Sequence, residues 1–321
     1  MKSKVVCIGI GTIDVLIKGV DLSTGFSGES KRAKHVQLAV GGDAANQAIV
    51  LSRLGVKTEL VCGMGNDDEA KFLHSVLVRN GVYVNAVIDH NSSSSINVVV
   101  IDELGQRNFI CQEDPEACFF EVGLEHLEEK DVVSLGSLLI PPFTTVESIE
   151  RVVKKAKECG AVVCADIVYG NGALELNDLR RVLPYIDYLF PNQEEAGLLT
   201  KKNTIEEMAE CLYQCGVKNV IIKTGSSGCY IKNRICTMTL PAFTVKAIDT
   251  TGAGDNFAAG FITAMLEGGN IRECCEFGAA AAGICCEHLG ANSGVRNRSQ
   301  VKDFITKQKE LEKIGGQCDE I

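Results

Sequence analysis

Asp249-Thr250-Thr251-Gly252-Ala253-Gly254-Asp255-Asn256-Phe257 is the stretch of this chain whose residue types and spacing are best suited to chemistry. The segment that follows, FITAMLEGG, reads as a helix. The Gly252–Gly254 turn would therefore deliver free backbone N–H groups to a helix N-terminus, where they and the helix dipole attract an anion. Small residues let a phosphate come close to the backbone. Asp255 would stand in the first helical turn beside that anion, placed to take a proton from an attacking hydroxyl. An anion hole with an adjacent base is the constellation of phosphoryl transfer, in which positioning and electrostatics do most of the work. A capped helix without any chemistry explains Gly-Ala-Gly-Asp equally well when it stands alone. A second motif has to carry the case.

That motif is Gly41-Gly42-Asp43-Ala44-Ala45-Asn46-Gln47-Ala48. Two glycines again open a helix, which ends near Leu54-Gly55. Asp43 and Asn46 are three residues apart and share a face at its open end, where polar groups can hydrogen-bond a polyol. Two other glycine clusters say less. The chain has no G-x-x-x-x-G-K-[ST] and hence no Walker-type nucleotide loop. Gly9-Ile10-Gly11 lacks the third glycine and the following helix of a dinucleotide fingerprint.

Taken together, "GGDAANQA" and "DTTGAGDNFAAGF" resemble the two signatures of the ribokinase/fructokinase (pfkB) family of carbohydrate kinases. The resemblance extends over nearly the whole chain. It departs at Asp43-Ala44, where ribokinases usually carry Lys-Gly, and this puts ribose in doubt as the substrate. The family likeness implies a ribokinase-like α/β fold and ATP-dependent phosphorylation of a sugar or sugar-acid hydroxyl. In it, Asp255 is the base, and Gly252, Ala253 and Gly254 are the anion hole. Asn192-Gln193-Glu194-Glu195 matches the family's N-x-x-E motif, with Asn192 near the nucleotide and Glu195 holding Mg²⁺ through water. Thr224, Gly225 and Gly228 match its nucleotide loop. Asp14 matches the aspartate that binds sugar hydroxyls, and with Gly42, Asp43 and Asn46 it would form the acceptor pocket. Asn97 and Arg107 would join from a lid. Asp249, Thr251, Gly290 and Ser293 match the region where related kinases bind K⁺. Asp166 matches a family aspartate, but Val168 stands where an asparagine often follows it. A nucleoside kinase of the same family and a non-catalytic ligand-binding protein on the same scaffold are the alternatives. The second would have lost its base or its magnesium residue, and both Asp255 and Glu195 are present.

The elements that must position these residues are legible as alternation. Strands are expected at Val5–Ile10, Glu59–Gly63, Val132–Leu135, Val162–Asp166, Tyr188–Pro191 and Val220–Lys223. Helical patterns lie between them at Asp43–Leu54, Asp67–Asn80, Thr145–Cys159 and Ile205–Cys215. Such βαβ alternation predicts a mainly parallel sheet with helices on both faces, all in one domain over residues 1–321. Two segments break the pattern. Ile13–Val40 shows no helix, and Ser95–Gln112 reads as strand, turn and strand, with the turn at Asp102–Gly105. These pieces, within about residues 12–40 and 95–113, are expected to pair as a small separate β-sheet that acts as a lid. A homodimer joined through that lid is a further expectation.

Bulk composition narrows the partners. The net charge of −10 without a basic block predicts neither a nucleic-acid nor an anionic-membrane partner. No run approaches the 18 or so apolar residues of a membrane span, and the VVCIGIG run is too short for a signal peptide. The 15 cysteines include the adjacent pairs Cys274–Cys275 and Cys285–Cys286 and no C-x-x-C. They read as reduced thiols in a cytoplasmic protein.

Overall fold

The computed structural model describes residues 3–318 apart from 22–24, 26–29, 102–106, 114, 125 and 171–173. In chain order its strands are β1 (Val5–Ile8), β2 (Thr12–Lys18), β3 (His35–Gly41), β4 (Thr58–Gly65), β5 (Tyr83–Asp89), β6 (Ile96–Ile101), β7 (Arg107–Cys111), β8 (Val132–Leu138), β9 (Val162–Ile167), β10 (Tyr188–Leu189), β11 (Asn219–Lys223), β12 (Cys229–Asn233) and β13 (Thr237–Leu240). The helices are α1 (Asp43–Arg53), α2 (Asp68–Arg79), α3 (Val146–Glu158), α4 (Leu176–Leu179), α5 (Gln193–Thr200), α6 (Ile205–Gln214), α7 (Ala253–Leu266), α8 (Ile271–Cys286) and α9 (Arg298–Cys318).

Nine strands make one sheet in the order β13-β12-β11-β10-β9-β8-β1-β4-β5. Every pair from β11 to β5 is parallel, and β12 and β13 extend the edge as an antiparallel pair. β1 and β8 are buried along their whole length, as a parallel sheet covered on both faces requires. One face packs against α1, α7 and α8 through residues such as Ile49, Phe261 and Ile284. The other packs against α3 and α6 through Ile149, Val153 and Leu212. Phe261 fastens α7 to the sheet, with its ring 5.0 Å from that of Phe190 and 5.1 Å from that of Tyr188. The start points of the helices are written locally. Thr145 with Ser148, Thr204 with Glu207, and Asn270 with Glu273 form reciprocal caps at α3, α6 and α8.

Four strands form a second sheet in the order β3-β2-β6-β7. It has its own small core of Leu16, Val99 and Ile101. β2 runs parallel to β6, which sets Asp14 directly opposite Asn97.

The mainly parallel sheet flanked by helices and the separate small sheet are as the sequence predicts. The six expected strands and four expected helices are all present, with no end moved by more than three residues. β1 stops at Ile8 and β10 at Leu189, two residues short of the expected ends. The expected turn at Asp102–Gly105 lies outside the described residues. The pattern did not reveal β5, β12 or β13. β5 is an edge strand with Tyr83, Val87 and Ile88 exposed, so it shows no in/out alternation of polarity. β12 and β13 follow each other with no helix between them, and so depart from the alternation.

Candidate active site

The parallel strands end along one rim of the sheet, and the residues just beyond them converge there. This is where an open α/β sheet places its crevice. Ser137 closes β8, Asp166 lies near the end of β9, Asn192 follows β10, and Lys223 ends β11. Helices α1 and α7 point their N-termini at the same rim. The result is a cavity of about 770 Å³ whose polar end holds Asp43, Asp166, Glu195, Lys223 and Asp255. Its apolar end is formed by the loop after β13 and by α8, with Phe243, Val245, Ala279 and Ala282. Gly225, Gly228, Gly252, Ala253 and Gly254 also line it.

The glycine turn has the form its sequence implies. Gly252 caps α7 in a left-handed conformation, φ 72°. A side chain there would also collide, since a Cβ would lie 2.5 Å from the Ala291 Cβ. Asn256 ties the turn down by donating from Nδ2 to the Gly252 and Ala291 carbonyls, both at 2.7 Å. Asp255 is the third residue of α7 and only 6% exposed. Its Oδ2 accepts from Asn46 Nδ2 at 2.9 Å. Asn46 in turn accepts from Asn292 Nδ2 at 2.9 Å. A relay from the turn at Asn292 through α1 thus fixes the carboxylate of α7. Asn46 shares its face with Asp43 as expected, and its amide bridges Asp255 and Asn292.

Asp43 stands at the start of α1, capped by Gly42 at φ 87°. It accepts a short hydrogen bond from the Ser137 hydroxyl. Asp14, 7% exposed, accepts from Thr12 Oγ1 at 3.1 Å and from the Asn97 side chain. Asp14 and Asn97 are therefore in contact, and Asp14 lies near enough to Asp43 to raise it, while Arg107 lies farther along β7 opposite Ile101, its side chain outside the described residues. Asn192 and Glu195 cap α5 reciprocally, with Asn192 N donating to Glu195 Oε2 at 2.7 Å and Glu195 N to Asn192 Oδ1 at 2.8 Å. The Thr224 hydroxyl is buried without a partner at the mouth of the Gly225–Gly228 turn. Behind the glycine turn, Asp249 takes Thr251 N at 2.9 Å and Gly290 N at 2.8 Å. Ser293 Oγ donates to Leu289 O at 2.6 Å and reaches Gly290 O at 3.3 Å, so all four residues of that group meet in one clasp.

Several participants went unread in the sequence. Lys223 pairs with Asp166, Nζ to Oδ2 2.5 Å. Ser137, Asn256 and Asn292 hold Asp43, the glycine turn and Asn46. Lys223 opens the Lys-Thr-Gly-Ser-Ser-Gly loop, and Asn256 follows the base directly, so both were within sight of a motif. Ser137 and Asn292 have no local signal; only tertiary packing brings them in.

Crowding of carboxylates governs the electrostatics. Burial, then the nearby Asp43, raises Asp255 well above the usual carboxylate range, against the bond from Asn46 and the charge of Lys223. Burial raises Asp43 to about 6, reinforced by Asp166 and Asp14 and opposed by Ser137 and Lys223. Burial and Asp166 raise Glu195 to about 7. In its ionised form, a carboxylate raised in this way accepts a proton more strongly than an exposed one.

With this geometry in hand, comparison with known proteins is direct. The model of the pfkB family of carbohydrate kinases matches residues 2–298. The ribokinase of Arabidopsis thaliana is 30% identical over 315 residues, which span 94% of this chain and 80% of that protein. The ribokinase of Haemophilus influenzae is 27% identical over 286 residues, spanning 87% and 91%. The structure of the Arabidopsis ribokinase complexed with ribose and ATP superposes with a TM-score of 0.79 at 28% identity, over 95% of this chain and 99% of that one.

Asp43 and Glu195 make the ligand-free protein sensitive to pH. Both are raised in the fold above their ordinary values of 3.8 and 4.5. Between those values and the raised ones the unfolded chain binds fewer protons, so stability falls as pH rises. The thermal midpoint is expected to drop between about pH 4 and about pH 7, and Asp43→Asn to flatten that slope. A slope unchanged by Asp43→Asn, measured by differential scanning fluorimetry in the absence of nucleotide, would contradict this electrostatic account.

Proposed function

The chain belongs to the pfkB family of carbohydrate kinases and is an ATP-dependent kinase, and on that premise we propose that it phosphorylates a hydroxyl of an unphosphorylated sugar or sugar acid, with Asp255 as general base. The observation that carries this reading is the position of Asp255. It is buried at the start of α7, one residue beyond the Gly252–Gly254 turn, and held by Asn46. In the proposed step the Asp255 carboxylate takes the proton of the acceptor hydroxyl. The hydroxyl oxygen forms a bond to the γ-phosphorus, the bond from that phosphorus to the bridging oxygen breaks, and ADP leaves. The developing charge meets the N–H groups and the positive end of α7.

The remaining residues fit a nucleotide and its metal. The apolar wall of Phe243, Val245 and Ala282 suits a base, and the unpartnered Thr224 hydroxyl beside Gly225 suits a phosphate. Asn192 and Gly228 complete that side. For Mg²⁺ the donor set is all oxygen: Glu195 projects into the cavity near Asp43 and Asp166. No three carboxylate, His or Cys side chains among the described residues group as direct ligands, which suits a metal that keeps several waters. Bound there, Mg²⁺ would offset the charge of the triphosphate. A K⁺ ion beside the Asp249, Thr251, Gly290 and Ser293 clasp would strengthen the positive field of the anion hole.

The acceptor assignment rests on Asp14, Asp43 and Asn97. Carboxylates and amides hydrogen-bond hydroxyls, whereas two aspartates repel a phosphate. Arg107 is the cation assigned to meet a sugar carboxylate. We further propose closure of the small sheet over this pocket as a lid, with the whole chain as one kinase domain. A homodimer through that sheet is supported by Val36 and Leu38 exposed on β3. A cytoplasmic setting fits a cysteine-rich sequence that has no C-x-x-C, and no helix among the described residues is long and apolar enough to cross a membrane.

Four measurements test the reading. Asp255→Asn should lower kcat by about 10²–10⁴ while ATP still binds; more than about half the wild-type turnover would remove Asp255 from the role. Glu195→Gln should raise the Mg²⁺ concentration for half-maximal rate, and replacing K⁺ by a bulky organic cation at equal ionic strength should slow the wild-type enzyme. An unchanged metal titration would leave Glu195 as a helix cap only. Coupled ADP release, screened over pentoses, hexoses, ketoses, sugar acids, hexose phosphates and nucleosides, should favour a neutral or acidic sugar. A nucleoside or sugar phosphate with kcat/KM about tenfold above every such sugar would overturn the acceptor assignment.

A further inference from the structure

Lys223 is the only lysine, arginine or histidine among the described residues lining the cavity, where it faces Asp43, Asp166, Glu195 and Asp255. Its backbone is fixed at the end of β11, with its N–H donating to Pro191 O at 2.8 Å. Its ammonium lies 2.5 Å from Asp166 Oδ2, and Asp166 Oδ1 is held in turn by Ile167 N at 2.8 Å. The pair is buried at the rim of the sheet, where Lys223 and Asp166 side chains are 15% and 8% exposed.

The position of the ammonium relative to the glycine turn is the telling fact. A Cβ built on Gly254 would come within 2.9 Å of Lys223 Nζ and 3.7 Å of Asp166 Oδ2. The charge therefore sits against the last residue of the Gly252–Gly254 turn, one residue before Asp255. A lysine that served only to neutralise Asp166 would be an expensive device, because a buried ion pair loses much of its Coulomb energy to desolvation, and an apolar pair of similar volume does as well or better. A lysine ammonium carries three donors on a flexible stem. One donor can stay on Asp166 while another turns toward an anion lying on the Gly252–Gly254 turn. A fixed cation there would act where charge develops in transfer, and it needs no reorganisation at that moment.

We propose that Lys223 is a catalytic residue that contacts the γ-phosphoryl group of ATP during transfer, and that Asp166 is its positioning residue. This rests on the kinase reading above and adds to it a contact specific to the γ-phosphate. The Asp166 carboxylate holds the ammonium at the anion hole and takes no part in moving the proton, which passes from the acceptor hydroxyl to Asp255.

The test compares Lys223→Met, Asp166→Asn and the double variant Lys223→Met/Asp166→Asn with the wild type. Each is measured for ATP and ADP affinity by calorimetry, thermal midpoint with saturating ADP, and kcat with the best acceptor from the screen. Lys223→Met should lose about 10²–10³ in kcat, the scale of one anion-hole donor. It should bind ADP as the wild type does and lose its preference for ATP over ADP. The double variant, which leaves no unpaired buried carboxylate, should recover the thermal midpoint without recovering turnover. Asp166→Asn should lower kcat less than Lys223→Met and keep the ATP preference. A double variant with a wild-type midpoint and more than about a third of wild-type kcat would make the pair structural and overturn the proposal. So would an equal loss of ATP and ADP affinity in Lys223→Met, since the contact would then not be to the γ-phosphate. Should the wild type bind ATP but phosphorylate nothing in the screen, the sugar-kinase reading fails. The ATP-over-ADP comparison still decides the Lys223 contact in that case.

Discussion

In the proposed reaction a carboxylate must stand, ionised, beside the place where a phosphoryl group spreads its negative charge, and the architecture around the rim answers the repulsion between the two. Asp255 is not alone there: Asp43, Asp166 and Glu195 share the same cavity. Such a cluster is tolerable only where fixed positive potential is close. The N-termini of α1 and α7 supply part of it through the N–H groups of their first turns and their helix dipoles. The ammonium of Lys223 supplies the rest among the described lining residues. Each source comes from a different stretch of chain, so the balance exists only in the folded state.

Holding that balance calls for stiffness. The turn that opens α7 is clamped by Asn256, and Asp255 is aimed by Asn46 and Asn292. α7 itself is wedged against the sheet by Phe261, Phe190 and Tyr188. Backbone geometry set by small residues, amide side chains that accept and donate at once, and aromatic packing below them form a continuous support from the core to the base. Amide relays suit this task because Asn keeps the same hydrogen-bonding character at any pH, while every carboxylate around it titrates.

How much of this was legible in the sequence depended on how local each feature is. Gly252–Asp255 and Gly41–Asn46 could be read because a turn and the helix it opens are written in consecutive residues. The βαβ alternation and the small sheet were readable from hydrophobic period and its interruption. Asn46 was legible as a polar group at a helix start but not as the partner of Asp255, because its role is fixed by a residue 209 positions away. Ser137 and Asn292 are ordinary polar residues until tertiary structure brings them to Asp43 and Asn46. Lys223 lay in plain view at the head of a recognised loop. Its meaning comes from Asp166, which reaches it across β10 from a strand not adjacent to β11.

The division between the two sheets has a consequence for how such a protein can diversify. Asp14 and Asn97 lie side by side on β2 and β6 of the smaller sheet. The base, the glycine turn and Lys223 are carried by α7 and the large sheet. In the proposed reaction the acceptor contacts of Asp14 and Asn97 would come from one sheet and the phosphoryl machinery from the other, with Asp43 on α1 between them; the chain passes between the two at the β1–β2, β3–α1, β5–β6 and β7–β8 connections. On those proposed roles, changes at a few strand positions of the smaller sheet would retune which hydroxyl is presented and leave Asp255, the glycine turn and Lys223 as they are.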